Sequence, residues 1–138
     1  MRSSFGLTSA QTAARVATVA FGVAILLQLL LAAGVLPVSM AWGGAQTTLT
    51  LPLRIASVLA AGVLALCAYV IRRRAGLAGK GAPSRAIRLL SWVITIYLFL
   101  NTAANLLSPS MGEKILFGSI TLVLAVSCLI VSASGTSE

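Results

Sequence analysis

Tyr97-Leu98-Phe99-Leu100-Asn101-Thr102-Ala103-Ala104-Asn105-Leu106-Leu107-Ser108-Pro109 sets two carboxamides inside an apolar run, and how that run is read decides the fold. Extended back to residue 87, it is long enough to cross a bilayer, whose hydrocarbon core of roughly 30 Å takes about 20 residues of helix. Three further runs of comparable length occupy residues 16–36, 51–71 and 115–131. Backbone N–H and C=O groups find no water in lipid, so a spanning segment must be a helix or part of a closed barrel. Long apolar runs without strict alternation choose the helix.

Composition agrees. Of 138 residues, 59% are hydrophobic and 9% charged, with a mean hydropathy of +1.04, more apolar surface than one soluble core of this size can bury. The expected architecture is therefore all-α: a single polytopic membrane domain over residues 1–138, with four transmembrane helices in an antiparallel bundle.

The formal charge of +8 raises nucleic acid as a partner, but the placement of the cations argues against it. Arg72, Arg73, Arg74, Lys80, Arg85 and Arg88 all fall in or beside the connection at 72–86. Lys and Arg concentrate in cytoplasmic loops, which puts this loop and both termini inside and makes the expected location the cell membrane. Arg2 and Arg15 before the first span agree, as does the uncharged connection at 38–50. A basic loop can also recruit anionic headgroups or an acidic partner. Ser39-Met40-Ala41 offers small residues at a signal-cleavage spacing, yet the first run is longer than a signal core, so a retained helix is expected.

Helical spacing assigns faces. Ala13, Ala17, Ala20, Ala24, Gln28 and Ala32 share one side of the first helix, and Arg54, Ser57, Ala61, Ala65 and Ala68 one side of the second. Ile94, Tyr97, Leu98, Asn101, Asn105 and Ser108 share a side of the third, and Gly118, Thr121, Ala125, Cys128 and Ser132 a side of the fourth. Small residues let helices approach closely in lipid, so these are the expected contact faces. Trp92 lies opposite its helix's polar side and is expected to face lipid. The first helix is expected to end at Gly34-Val35-Leu36-Pro37, where proline stops it, Thr50 to cap the second, and Gly76, Gly79, Gly81 and Pro83 to make the basic loop a flexible connector.

The chain contains no histidine, and the four runs contain no Asp or Glu. His-ligated haem, ordinary zinc sites and a Ser-His-Asp triad are excluded, and proton coupling through an embedded acid is disfavoured. Cys67 and Cys128 lack Cys-x-x-Cys spacing and read as small apolar residues. No metal, cofactor or catalytic constellation is expected; a membrane enzyme would need its substrate or cofactor to supply the chemistry.

What remains is a polar set in the outer half. Counted from the helix ends at 1.5 Å per residue, Gln28 lies roughly 12 Å deep, Asn101 roughly 9 Å, Arg54 roughly 5 Å and Asn105 roughly 3 Å. One reading pairs Gln28 and Asn101 as an amide contact between helices. The other makes Gln28, Arg54, Asn101 and Asn105 the lining of a ligand pocket with Trp42 near its mouth. Arg54 either snorkels outward or forms an ion pair with Glu113. Ser110-x-x-Glu113 has the spacing of a capping box. Trp42-Gly43-Gly44, Leu100 to Leu106 and Glu113 together resemble a pattern of small four-helix bacterial membrane proteins, a resemblance that implies the fold and carries no activity.

The expected role is that of a small accessory or ligand-binding membrane subunit, partnered by the lipid bilayer and by further copies of itself or a larger membrane protein. The alternative is an oligomeric small-solute transporter or channel.

Overall fold

The computed structural model describes residues 4–44 and 46–135. It is all-helical: α1 is Ser4–Ala33, α2 Leu51–Arg74, α3 Arg85–Leu106 and α4 Gly118–Ala133, the last preceded by a π-helical turn, Glu113–Phe117. No strand occurs among the described residues, and four helices are long and apolar enough to cross a membrane.

The helix ends show where counting apolar residues falls short. α1 begins well before residue 16, because Ala10, Ala13 and Ala14 continue its buried face through the stretch around Arg15, and alanine is the best helix former. It ends at the first residue of the expected stop, Gly34-Val35-Leu36-Pro37, through the glycine and not the proline. Gly34 takes φ +80°, its N–H donates to Leu31 O, and Val35 N–H reaches back to Leu30 O at 3.0 Å, a Schellman motif that satisfies the last carbonyls. α2 opens as expected, with Thr50 Oγ1 accepting from Leu53 N–H and Pro52 in the first turn. Ser84 caps α3 in the same way, through Ile87 N–H.

α1 packs along α2 and α4, α4 packs along α3, and α2 touches α3 only sparsely, so the ring of helices is weakest on its α2/α3 side. The core runs through Ala14, Ala17 and Phe21 of α1, Ile71 of α2, Leu98 of α3 and Leu124, Ala125, Cys128 and Val131 of α4. α4 lies deepest, with half of its apolar window buried against 28%, 22% and 28% for the other three helices. Its expected contact face, Gly118, Thr121, Ala125, Cys128 and Ser132, is buried throughout. α2 follows its expected face only in part: Ser57 and Ala61 are buried, whereas Arg54 and Ala65 are exposed. Outside the core, Val19, Leu59, Leu66, Leu89, Ile96 and Leu100 are each more than half exposed, and Trp92 is exposed as expected.

Polar contacts hold the ends together. At the arginine-rich end, the buried Arg74 guanidinium donates to Ser132 O at 3.2 Å and to Ser134 O at 2.7 Å, where a cation meets the free carbonyls of α4. Thr95 and Ser132 hydroxyls meet at 3.0 Å. Arg72 reaches Thr18 Oγ1 on α1, and Arg73 donates to the carbonyls of Lys80, Gly81 and Ala82. The connection expected to be a flexible linker is instead wound around Arg73. Gly79, at φ +70°, lies so close that a Cβ there would sit 2.7 Å from Arg73 Nε.

Candidate functional site

At the opposite end, the two connections at 34–50 and 107–112 are clasped by one carboxylate. Glu113, 7% exposed, accepts from Gly43 N–H at 3.2 Å through Oε1 and from the Ser108 hydroxyl through Oε2. Ser108 Oγ in turn accepts from Ser110 N–H at 3.1 Å, and Ser110 Oγ accepts from Glu113 N–H at 3.3 Å. Only half of the expected capping box therefore forms. The serine caps the glutamate's N–H, but the carboxylate turns away from Ser110 to the other connection.

The backbone at 42–44 is shaped for this contact. Gly43 and Gly44 have φ of +80° and +73°, and Trp42, at +57°, is the one non-glycine with positive φ among the described residues. A left-handed conformation at a residue with a Cβ costs roughly 1–2 kcal/mol. Gly44 packs so tightly on Ser110 that an added Cβ would lie 2.7 Å from that serine's own Cβ.

Beneath the clasp lies a cavity of about 330 Å³ lined by Gln28, Trp42, Tyr97, Asn101, Asn105 and Glu113, among others. A second cavity of about 380 Å³ continues toward Cys67 between apolar walls that include Phe21, Ala24, Leu59, Val63 and Leu124. The two share Gln28, Ala60, Tyr97, Asn101 and Phe117 as walls. Leu59, Val63 and Tyr97 are more than half exposed and come from α2 and α3, the sparsely touching neighbours, so the lower cavity opens sideways between those helices. Phe21, Leu98 and Leu124, each at most 1% exposed, bound it on the core side.

The sequence-derived site residues divide. Gln28 and Asn101 both line both cavities, at the common level inferred from counting, but no hydrogen bond joins them; Gln28 Oε1 is buried with no partner at all. Asn105 lines the upper cavity while its Nδ2 donates to Thr121 Oγ1 at 3.3 Å, tying α3 to α4. Trp42 stands half-exposed at the rim. Arg54 is not part of the lining. Its guanidinium donates to Ala32 O at 3.2 Å, capping the carbonyl end of α1 from the exposed surface.

The ion pair between Arg54 and Glu113 does not form, since each side chain is engaged with a different partner. The expectation of no acid within a span is also corrected. The fourth membrane-length helix runs Glu113–Ala133, beginning with the π turn whose first residue is the buried Glu113. Glu113 and Phe117, at the two ends of that turn, are both buried and both face the upper cavity.

The resulting arrangement has three amides, one carboxylate and three aromatic rings at one end, with an apolar continuation below. Among the described residues, no three His, Cys, Asp or Glu gather as metal ligands. Comparison of the chain with protein-family models, with curated proteins and with solved structures finds no match.

Proposed function

We propose that this chain is a four-span integral protein of the cell membrane that binds an amphiphile, its polar head in the upper cavity and its apolar tail in the lower one. The helices cross alternately, with both ends and the loop of Arg72, Arg73, Arg74, Lys80, Arg85 and Arg88 on the cytoplasmic side. The exposed apolar exterior supports insertion, because residues such as Leu59, Leu66 and Leu100 would otherwise face water. In this reading the protein is a ligand-binding or accessory membrane subunit, with its clasp at the outer surface.

The observation that carries the reading is the wall that the two cavities share, Gln28, Ala60, Tyr97, Asn101 and Phe117, in which Gln28 also has a buried carbonyl without a partner. A buried acceptor without a donor costs roughly 1–3 kcal/mol, a cost that a head hydroxyl or N–H would offset once the Gln28 amide turns to meet it. The lateral opening between α2 and α3 supplies a route by which a chain in the bilayer enters. Binding is favoured over passage through a single copy because Phe21, Leu98 and Leu124 close the cavity on the core side.

Native mass spectrometry of the protein extracted from membranes tests this. About one amphiphile per chain is expected to survive purification, and Gln28→Leu with Asn101→Leu is expected to lose it while helix content stays unchanged. If the double variant alters only thermal stability, or no amphiphile is retained by the wild type, the proposal fails. Solute flux in proteoliposomes at a rate set by the protein would favour the transporter alternative.

A further inference from the structure

The buried carboxylate invites a question that amphiphile binding leaves open: which charge the head carries. Glu113 is one of two acidic residues in the chain, the other being Glu138, against ten lysines and arginines. Yet both of its oxygens are held by neutral donors, Gly43 N–H and the Ser108 hydroxyl. Among the described residues no Lys or Arg side-chain nitrogen lies within 4.0 Å of its carboxylate oxygens. Arg54, the cation expected there, is committed to Ala32 O. A carboxylate that is 7% exposed and lacks a counter-charge is costly to bury, and neutral hydrogen bonds offset only part of that cost.

The surroundings fit one kind of counter-charge. Glu113 lines the same cavity as Trp42 and Tyr97, whose ring faces attract cations, and as Gln28, whose buried carbonyl lacks a partner and can only accept. Trp42 is held at that rim by a strained left-handed backbone, and such strain persists where the surrounding structure over-determines it. An anionic head would meet the carboxylate with nothing in the lining to neutralise it.

From this we infer that the upper cavity selects a cationic head, an ammonium group, through the Glu113 carboxylate. The inference rests on the cavity reading above and adds the charge class. The same ammonium chemistry is presented by the ethanolamine head of a phospholipid and by a free amine such as ethanolamine.

The test compares binding of dioleoyl phosphatidylethanolamine and dioleoyl phosphatidylglycerol to the full chain in neutral detergent by native mass spectrometry. The acyl chains are identical, so any difference reports the head. Wild type is expected to prefer the ethanolamine lipid by roughly tenfold or more, the scale of one charge-assisted hydrogen bond. Glu113→Gln, which keeps the shape and one acceptor, is expected to bind both lipids within about twofold of each other. Ser110→Ala loosens the same connection without touching the charge and is expected to keep the preference. In a parallel arm, ethanolamine is titrated against Trp42 emission in a Trp92→Phe background, to show whether the free head suffices.

Equal retention of both lipids, or a preference that survives Glu113→Gln, overturns the inference and leaves amphiphile binding standing. If neither lipid is retained but ethanolamine shifts Trp42 emission, and Glu113→Gln abolishes that shift, the cation preference holds and the amphiphile reading falls. Retention of neither lipid with no response to ethanolamine overturns both.

Discussion

Ser108→Ala removes one oxygen and with it two contacts of the clasp. The hydroxyl donates to Glu113 Oε2 and accepts from Ser110 N–H at 3.1 Å, and Ser108 is buried. A hydrogen bond to a buried carboxylate contributes about 1.5–3 kcal/mol and a neutral one about 1 kcal/mol, so the loss should be about 2–4 kcal/mol. For a chain of this size that lowers the midpoint by something on the order of 10 °C. Cys128, fully buried in the core, reports the transition. In a Cys67→Ala background, its thiol reacts with a maleimide dye only once the helices separate. Ser110→Ala is the internal comparison, because it removes only the cap on Glu113 N–H and should cost about 1 kcal/mol. If Ser108→Ala shifts the midpoint by no more than Ser110→Ala does, the Ser108 hydroxyl does not stabilise the clasp by holding the Glu113 carboxylate.

Other sites make sharper contrasts. Gly44→Ala must place a Cβ 2.7 Å from Ser110 Cβ at φ +73°, so it is expected to cost at least about 1–2 kcal/mol in the same thiol assay. Arg74→Met leaves the carbonyls of Ser132 and Ser134 without their donor and is expected to destabilise the arginine-rich end by about 1–3 kcal/mol, seen as faster amide exchange in the last turn of α4. Arg54→Ala removes only an exposed contact to Ala32 O and is expected to cost less than about 1 kcal/mol, with amphiphile retention unchanged; loss of retention would return Arg54 to the site.

The four helices long and apolar enough to cross a membrane were legible in the sequence because an apolar run of about 20 residues has few other physical meanings. The inward face of α4 was legible too, since small residues at helical spacing have one obvious use in close packing, and all five are buried. Run-counting missed the start of α1 because it halts at Arg15, although Ala10, Ala13 and Ala14 pack on the same core. It could not assign the arginines. Arg54 and Arg74 reach carbonyls 22 and 58 residues away in sequence, contacts that only the packed helices create.

Glu113 was the instructive case. The local signal, Ser110 three residues before it, correctly placed a cap on its N–H, but the carboxylate's other partner, Gly43, lies 70 residues away. A signal was nevertheless present: an acid at the head of an apolar run, in a chain whose other acid is Glu138 near the C-terminal end and whose remaining charges are cations, marks a site wherever the run's start is uncertain. Gln28 and Asn101 were matched in depth by counting, yet the choice between an amide pair and a cavity turned on side-chain placement that periodicity does not specify.

A structure determined in lipid nanodiscs tests the central claim most directly. The account predicts elongated non-protein density entering between α2 and α3, with its head between Gln28, Asn101 and Glu113 and its tail running down toward Cys67. A collapsed cavity, with the Gln28 and Asn101 amides hydrogen-bonded to each other and no density beside them, would contradict it.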